Sequence, residues 1–371
     1  MSKSATYRQH DWDEEVATRS AQDNPYAQLA AQNYELDQAV LLFDAKHAAN
    51  RAFHTRELSD AEGRDTSVLH GLLELVVNAC RAANTRRWML VWDGGVQYKR
   101  KVYSAYKSRH DRERTPEEQE RHARLNQSIK VARKAFDDIG APQLYLQDIE
   151  ADDAIGLASH KIERIEQVAM VDARFAKLDS LTALIVSDDK DYYQLLSDRC
   201  HVWRGITQQH YTPQRFKTEF GFTPHSYIDY KALVGEAATG DNIPKVPGIG
   251  DVWAAKLVAA HGGIDDIIKF CRERCESSKK PLAKETAVVS CEAQIKKIAY
   301  PLSKIARDRR DLKTWGFTIS ANKMLGVVED AIADAVNMRE TSSTDFMRVW
   351  SRHGIRSIDW RDWSRVCGFG A

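Results

Sequence analysis

Leu181-Thr182-Ala183-Leu184-Ile185-Val186 is a short, almost wholly apolar run that passes directly into Ser187-Asp188-Asp189-Lys190-Asp191. The same arrangement recurs upstream. Ala39-Val40-Leu41-Leu42-Phe43 ends in Asp44, and Arg87-Trp88-Met89-Leu90-Val91-Trp92 ends in Asp93-Gly94-Gly95. Gln143-Leu144-Tyr145-Leu146 stops just before Asp148 and Glu150. Strands covered on both faces read as continuous apolar runs, because neither side can be polar. Between them, residues 66–83, 115–139 and 151–166 carry apolar spacings of three and four, which predict helices. The alternation predicts an α/β fold with a mainly parallel sheet and helices on both faces. In that architecture ligands gather at the carboxyl ends of the strands. Every run places carboxylates there.

The candidate site residues are therefore Asp44, Asp93, Glu150, Asp152, Asp153, Asp189 and Asp191, with Glu236 and Asp241 further along. A single Asp after a strand is commonly a turn former or a helix cap. Glu150-Ala151-Asp152-Asp153 is more specific, with three acids in four residues entering an apolar helix, although some of that acidity complements the helix dipole. Gathered without cations, these groups would repel, and several would take up protons. Hard divalent cations such as Mg²⁺ or Mn²⁺ relieve the repulsion and prefer oxygen ligands. Two such ions about 3.5–4 Å apart suit in-line phosphoryl displacement.

Composition sets the outer limits. The 371 residues are 29% charged and 43% hydrophobic, ordinary for a soluble globular protein. No apolar stretch is long enough to span a bilayer, and the N-terminus lacks a signal peptide's apolar core, so a cytoplasmic location is expected. The six cysteines are scattered and read as reduced thiols, since Cys271, Cys275 and Cys291 downstream of His261 fit no common zinc module. The formal net charge is only +1, yet between Tyr98 and Lys134 twelve Lys or Arg face five Asp or Glu. A basic arm beside an acidic pocket fits a polyanionic substrate and cationic cofactors. Within the arm, Tyr98, Tyr103 and Tyr106 alternate with Lys99, Arg100, Lys101, Lys107, Arg109, Arg112 and Arg114, a pattern suited to a single strand. Its plainer reading is a solvated helix, for Thr115-Pro116-Glu117-Glu118 looks like an ordinary helix start. No Ser/His/Asp or Cys/His arrangement competes, and no Gly-rich nucleotide loop is present.

Three motifs in order, Glu150-Ala151-Asp152-Asp153-Ala154, Ser187 to Leu196, and Gly240-Asp241-Asn242-Ile243-Pro244-Lys245-Val246-Pro247-Gly248-Ile249-Gly250, resemble the 5′ nuclease family over about residues 39–270. That family comprises flap endonucleases, phage 5′ exonucleases and the 5′ nuclease domain of family A DNA polymerases. The resemblance implies a PIN-like nuclease core, a helical arch over residues 98–124, and a helix–three-turn–helix motif that grips duplex backbone. It places Asp44, Asp93, Glu150 and Asp152 at a first metal site and Asp153, Asp189, Asp191 and Asp241 at a second. Lys107 resembles the arch lysine that contacts the scissile phosphate, with Arg109 as its partner. DNA contacts are expected from Arg51, Lys99, Arg100, Tyr106, Gly248, Gly250 and Lys256. Glycines permit close backbone approach, and amides at the following helix N-terminus face the phosphate.

The expected layout is a mobile extension over 1–36, a nuclease core over 37–205, a DNA-binding subdomain over 206–275 and a C-terminal helical extension over 276–371. Ala45 and Asn50 depart from the family pattern, and Asp188 stands where it usually has a small residue. Gly235-Glu236 replaces the expected aspartate and is followed by a longer loop. The implied function is metal-dependent hydrolysis of DNA near a free 5′ end (flap, nicked or branched) by a monomer, with an RNA primer as a further substrate. The alternatives are a non-cleaving branched-DNA-binding protein and a PIN-type ribonuclease. Its size without a polymerase domain suits a phage or small bacterial replication enzyme, acting in a bacterial or phage-infected cell.

Overall fold

The structure is a computed structural model that describes residues 38–108, 113–165, 174, 180–205, 207, 209–235, 242–302, 320–337 and 339–370. The expected extension over 1–36, together with Arg109, Glu236 and Asp241, lies outside the described residues.

Four of the strands arise where the apolar runs predict them: β1 (Ala39–Asp44), β2 (Trp88–Trp92), β3 (Gln143–Tyr145) and β4 (Thr182–Val186). Two more follow, β5 (Cys200–Arg204) and β6 (Gln209–Tyr211), giving the sheet order β3-β2-β1-β4-β5-β6. All pairings are parallel except β5 with β6. The last two escaped the sequence reading because His201, Arg204 and Gln209 interrupt any apolar run. Helices α1 (Ala45–Thr55), α2 (Ser67–Ala83), α3 (Gln97–Val102), α4 (Pro116–Asp138) and α5 (Ala151–Glu163) join the first four strands. The Thr115–Glu118 capping box and Pro116 start α4, satisfying amides that the first turn leaves unpaired.

Alternate residues of β1 feed two cores. Val40 and Leu42 join Ile155, Ala158 and Ile162 of α5, while Leu41 and Phe43 join Leu69, Leu72 and Leu73 of α2. This period of two lets one short strand bury both faces. Helices α6 (Pro213–Phe220), α7 (Tyr227–Val234), α8 (Asp251–His261), α9 (Ile264–Ser277), α10 (Ala283–Ser290) and α11 (Glu292–Leu302) continue the first core. The hairpin Val246–Gly250 sits between α7 and α8, with Gly248 at φ 75°, in the left-handed region that glycine adopts most readily.

The C-terminal residues are not an appendage. Helix α12 (Ser320–Val336) adds Val328, Ala331, Ile332 and Ala335 to the α5 side of the sheet. After β7 (Arg339–Glu340), α13 (Ser343–Arg352), α14 (Trp360–Val366) and β8 (Phe369–Gly370) close the α2 side. There Trp88 Nε1 donates to Cys367 O at 2.9 Å and Trp363 Nε1 to Leu73 O at 3.0 Å. Described residues of 320–370, within the expected C-terminal extension, pack onto both faces of the nuclease sheet. Sequence spacing could show an apolar stripe but not the face it covers.

Candidate active site

Because β3, β2, β1 and β4 are adjacent and parallel, their carboxyl ends share one edge of the sheet. Asp44 ends β1 and caps α1, its Oδ1 accepting from His47 N at 2.9 Å. Its Oδ2 accepts from Tyr192 OH at 3.0 Å and from Ser187 Oγ at 3.3 Å. Burial pushes the Asp44 carboxyl above the usual carboxylate range; the bonds from His47 and Tyr192 oppose this, and the charge of Asp152 adds to it. Burial and the carboxylates around Tyr192 hold its phenol protonated, so it remains a donor.

Glu150, Asp152 and Asp153 bring one oxygen each within 4.8 Å of one another. Among the described residues this is the only such cluster of metal-binding side chains, and the cysteines of the second half form none. An all-oxygen donor set at one end of a sheet fits hard divalent cations. Asp189 caps a short 3-10 helix over Lys190–Leu195, accepting from Asp191 N at 2.8 Å. The structure thus groups Asp153 with Glu150 and Asp152, on the same turn of chain.

The acids are not left to repel. Lys99 Nζ lies 3.1 Å from Glu150 Oε2 and 2.8 Å from Asp153 Oδ2, with no exposed surface. Lys107 Nζ pairs with Glu150 Oε1, and Tyr106 OH donates to Glu150 Oε2 at 2.8 Å. Lys46 meets Asp93 at 2.8 Å, and Lys231 meets Asp191 at 2.9 Å. Lys99 and Lys107 thus enter the clustered trio, while Lys46 and Lys231 serve Asp93 and Asp191 beside it. Sequence reasoning missed Lys46, Lys231 and Tyr192, which carry no signal apart from proximity.

Two expected DNA contacts are corrected. Lys99 and Tyr106 are fully buried and serve the carboxylates, and Tyr98 is buried as well, so neither Tyr98 nor Tyr106 can stack on a base. Arg100 turns inward, Nε donating to Tyr106 O at 2.9 Å and Nη2 to Lys107 O at 3.0 Å. The first part of that alternation, Tyr98 to Lys101, lies on α3, where Tyr98 and Lys99 are buried. Arg51 is exposed, with Nη1 4.0 Å from Asp188 Oδ2. His47 and Arg204 also face Asp188, both at 3.9 Å, and Asp188 is not one of the clustered trio. Gly248, Gly250 and Lys256 are exposed on the hairpin and α8.

Arg100's clamp fixes an unusual turn, for Lys107 has φ 51°, a conformation disfavoured for a residue with a Cβ. Asn242 holds the turn from the far side. Its Nδ2 donates to Ala105 O at 3.2 Å and Ser108 Oγ at 3.1 Å, while Tyr103 OH donates to Asn242 O at 3.1 Å. Asn242 itself has φ 58°. Asn242→Gly preserves that backbone and deletes the amide. Since a displacement of about 1 Å can cost 10²-fold, any reaction that uses the Lys107 ammonium should slow ten- to a hundred-fold in this variant, which single-turnover kinetics would check.

The family description "5′-3′ exonuclease, N-terminal resolvase-like domain" matches residues 39–221, and "5′-3′ exonuclease, C-terminal SAM fold" matches residues 222–314. DNA polymerase I of Bacillus subtilis is 28% identical over 272 residues, covering 69% of this chain and 28% of that protein. The chain therefore spans just over a quarter of that relative. The 5′-3′ exonuclease of Buchnera aphidicola (subsp. Schizaphis graminum) is 27% identical over 285 residues, covering 74% of this chain and 88% of the relative. A bacteriophage T5 5′-exonuclease structure with bound divalent metal ions (zinc) superposes with a TM-score of 0.62 at 16% identity. It covers 80% of this chain and 99% of that one, and shows the shared fold. With a sheet-end carboxylate cluster in place and both family domains matched in order, the chain belongs to the 5′-3′ exonuclease family.

Proposed function

We propose that the chain hydrolyses DNA phosphodiesters near a free 5′ end, as a divalent-metal-dependent 5′-3′ exonuclease and 5′-flap endonuclease. The observation that carries this is the gathering of Glu150, Asp152 and Asp153 within 4.8 Å, with the Lys107 ammonium on Glu150. Asp44, Asp93, Glu150 and Asp152 would hold one divalent cation, Mg²⁺ or Mn²⁺. Asp153, Asp189 and Asp191, with Glu236 and Asp241, would hold the other. Bound there, the cations supply Lewis-acid stabilisation of charge developing on the phosphate.

The remaining chemistry belongs to the chain. Lys107 is the half-buried cation of the cluster, and its pairing with Glu150 places it where a phosphate oxygen would compete for it. Buried Lys99 holds Glu150 and Asp153 in place. Arg51 and Arg109 would engage neighbouring phosphates. The Gly248–Gly250 hairpin and Lys256 would anchor the duplex by its backbone, without reading sequence. Residues 98–124 are proposed as the arch over the 5′ strand, since the first turns of α4 are exposed on nearly every side. Residues 206–275 are proposed as the duplex-gripping part.

A solved complex of bacteriophage T5 flap endonuclease contains DNA and metal ions, and shares this fold at a TM-score of 0.63 and 16% identity. By that analogy the substrate is DNA with a flap, nick or branch, and an RNA primer end is a second proposed substrate. No described helix is long and apolar enough to cross a membrane. The proposed setting is the cytoplasm of a bacterial or phage-infected cell, with the chain acting as a monomer.

The test is a 5′-flap duplex labelled at either end, incubated with Mg²⁺, Mn²⁺ or EDTA. Metal-dependent cutting near the 5′ end is expected, and product lengths separate exonuclease from flap cleavage. Lys107→Ala should lower kcat by about 10²-fold, the scale of removing one charge-stabilising donor, with duplex affinity within a few-fold. Tight binding with no cleavage in either metal would overturn the enzymatic reading.

A further inference from the structure

The exposed residues around the hairpin extend beyond it into a part of the chain with no assigned role. Between α9 and α10 runs Ser277-Ser278-Lys279-Lys280-Pro281-Leu282-Ala283-Lys284, three lysines without an intervening acid. Lys279, Lys280 and Lys284 are all exposed, and none has a carboxylate partner among the described residues. The fold carries this segment back onto the hairpin. Lys284 Nζ lies 5.3 Å from the Trp253 ring centroid on α8, and a Cβ on Gly248 would come 3.8 Å from Lys284 Cγ. Lys284 therefore lies across the hairpin, whose own cations, Lys245 and Lys256, are exposed and likewise unpaired among the described residues.

Glu276, on the last turn of α9, is exposed and offsets part of this charge, whereas Glu285 and Asp251 are engaged. Glu285 is buried, accepting from Leu282 N at 3.0 Å and facing Arg274 Nε at 3.4 Å. Asp251 is exposed and accepts from Tyr230 OH at 3.0 Å. Val252 and Leu282 are 72% and 54% exposed. An ammonium cluster of this kind matches a polyanion presenting regularly spaced phosphates, and flexible lysine stems tolerate any base sequence.

We infer that Lys279, Lys280 and Lys284 form, with the hairpin, one continuous surface for the phosphate backbone of duplex DNA. The inference rests on the nuclease reading and adds to it. The hairpin alone grips one short stretch of backbone, and the Lys279–Lys284 segment extends that grip along the duplex arm. Its contribution is to affinity for substrates that carry a duplex.

The test compares wild type with the triple variant Lys279→Gln, Lys280→Gln, Lys284→Gln by anisotropy at several KCl concentrations with Ca²⁺ present. The probes are a 5′-flap duplex and a single strand of the same 5′ sequence. On the duplex the variant should bind at least ten-fold more weakly near 100 mM salt. Its log–log salt slope should be shallower by about 2–3, because each lost phosphate contact removes close to one counterion. Single-strand affinity and kcat at saturating substrate should be unchanged, and circular dichroism reports retention of the fold. Wild-type affinity and slope in the variant, or an equal loss on the single strand, would overturn the inference. Failure of the wild type to bind or cut either probe would instead overturn the nuclease reading.

Discussion

Asp152→Ala should lower metal-dependent cleavage of a 5′-flap duplex by about three orders of magnitude or more while leaving the fold and substrate binding intact. Asp152 is half-buried, its Oδ1 accepting from Asp153 N at 2.8 Å, and it belongs to the one clustered trio of carboxylates among the described residues. Its charge also bears on Asp44, raising the cost of ionising that buried acid. Removing Asp152 therefore takes a proposed cation ligand from the cluster and simultaneously eases the repulsion on Asp44. The two consequences can be read separately. Single-turnover rates across a Mg²⁺ titration report the lost ligand, and thermal unfolding in EDTA reports the relieved repulsion, with the variant expected to be no less stable than wild type. Asp152→Asn should reproduce the loss of rate, since the amide keeps the shape without the charge. Cleavage within ten-fold of wild type at saturating Mg²⁺ would remove Asp152 from the metal site.

A loss of about 3–5 kcal/mol of folding stability is expected for Trp363→Ala, although Trp363 lies near the end of the chain and far in sequence from every candidate ligand. The indole is fully buried and meets Trp88 edge-on, with ring centroids 5.9 Å apart. Phe346, Trp350 and Phe369 lie within 6.2 Å by the same measure. Truncation leaves a cavity among these rings and removes the bond from the indole N–H to the Leu73 carbonyl, 3.0 Å long. Arg339, buried with its guanidinium 5.2 Å from the Trp88 ring, loses part of the same packed neighbourhood. Urea unfolding should show a lower midpoint with an unchanged slope, and Trp363→Phe should recover part of the loss. A change under 1 kcal/mol would mean that α13 and α14 dock loosely, and that the sheet is stable without them.

Much of this protein is legible along the chain because the relevant physics is local. Four apolar runs became four adjacent strands, since a segment apolar on both sides has no stable place except inside a layered sheet. The acids at their ends share one edge because parallel strands necessarily align their carboxyl termini. Helix α4 begins at Pro116, as Thr115-Pro116-Glu117-Glu118 announces, because a capping box is satisfied within one turn.

What depended on the tertiary structure was the partner of each charge and ring. Lys99 and Lys107 sit 51 and 43 residues from Glu150, so no spacing rule could pair them with it. Tyr98 and Tyr106 look the same in sequence whether they face a nucleic acid or a core, and only the folded position of α3 and the turn after it shows that they are buried. Asn242 reaches Ala105 and Ser108 across more than 130 residues to brace the Lys107 turn. Sequence alone determined that acids would line the ends of a parallel sheet, because side-chain period and strand length act over a few residues. Only the tertiary structure decided which lysines neutralise them, which cations remain for a polyanion, and that described residues of 320–370 pack onto both faces of the sheet, because charge pairing and burial depend on distances in space.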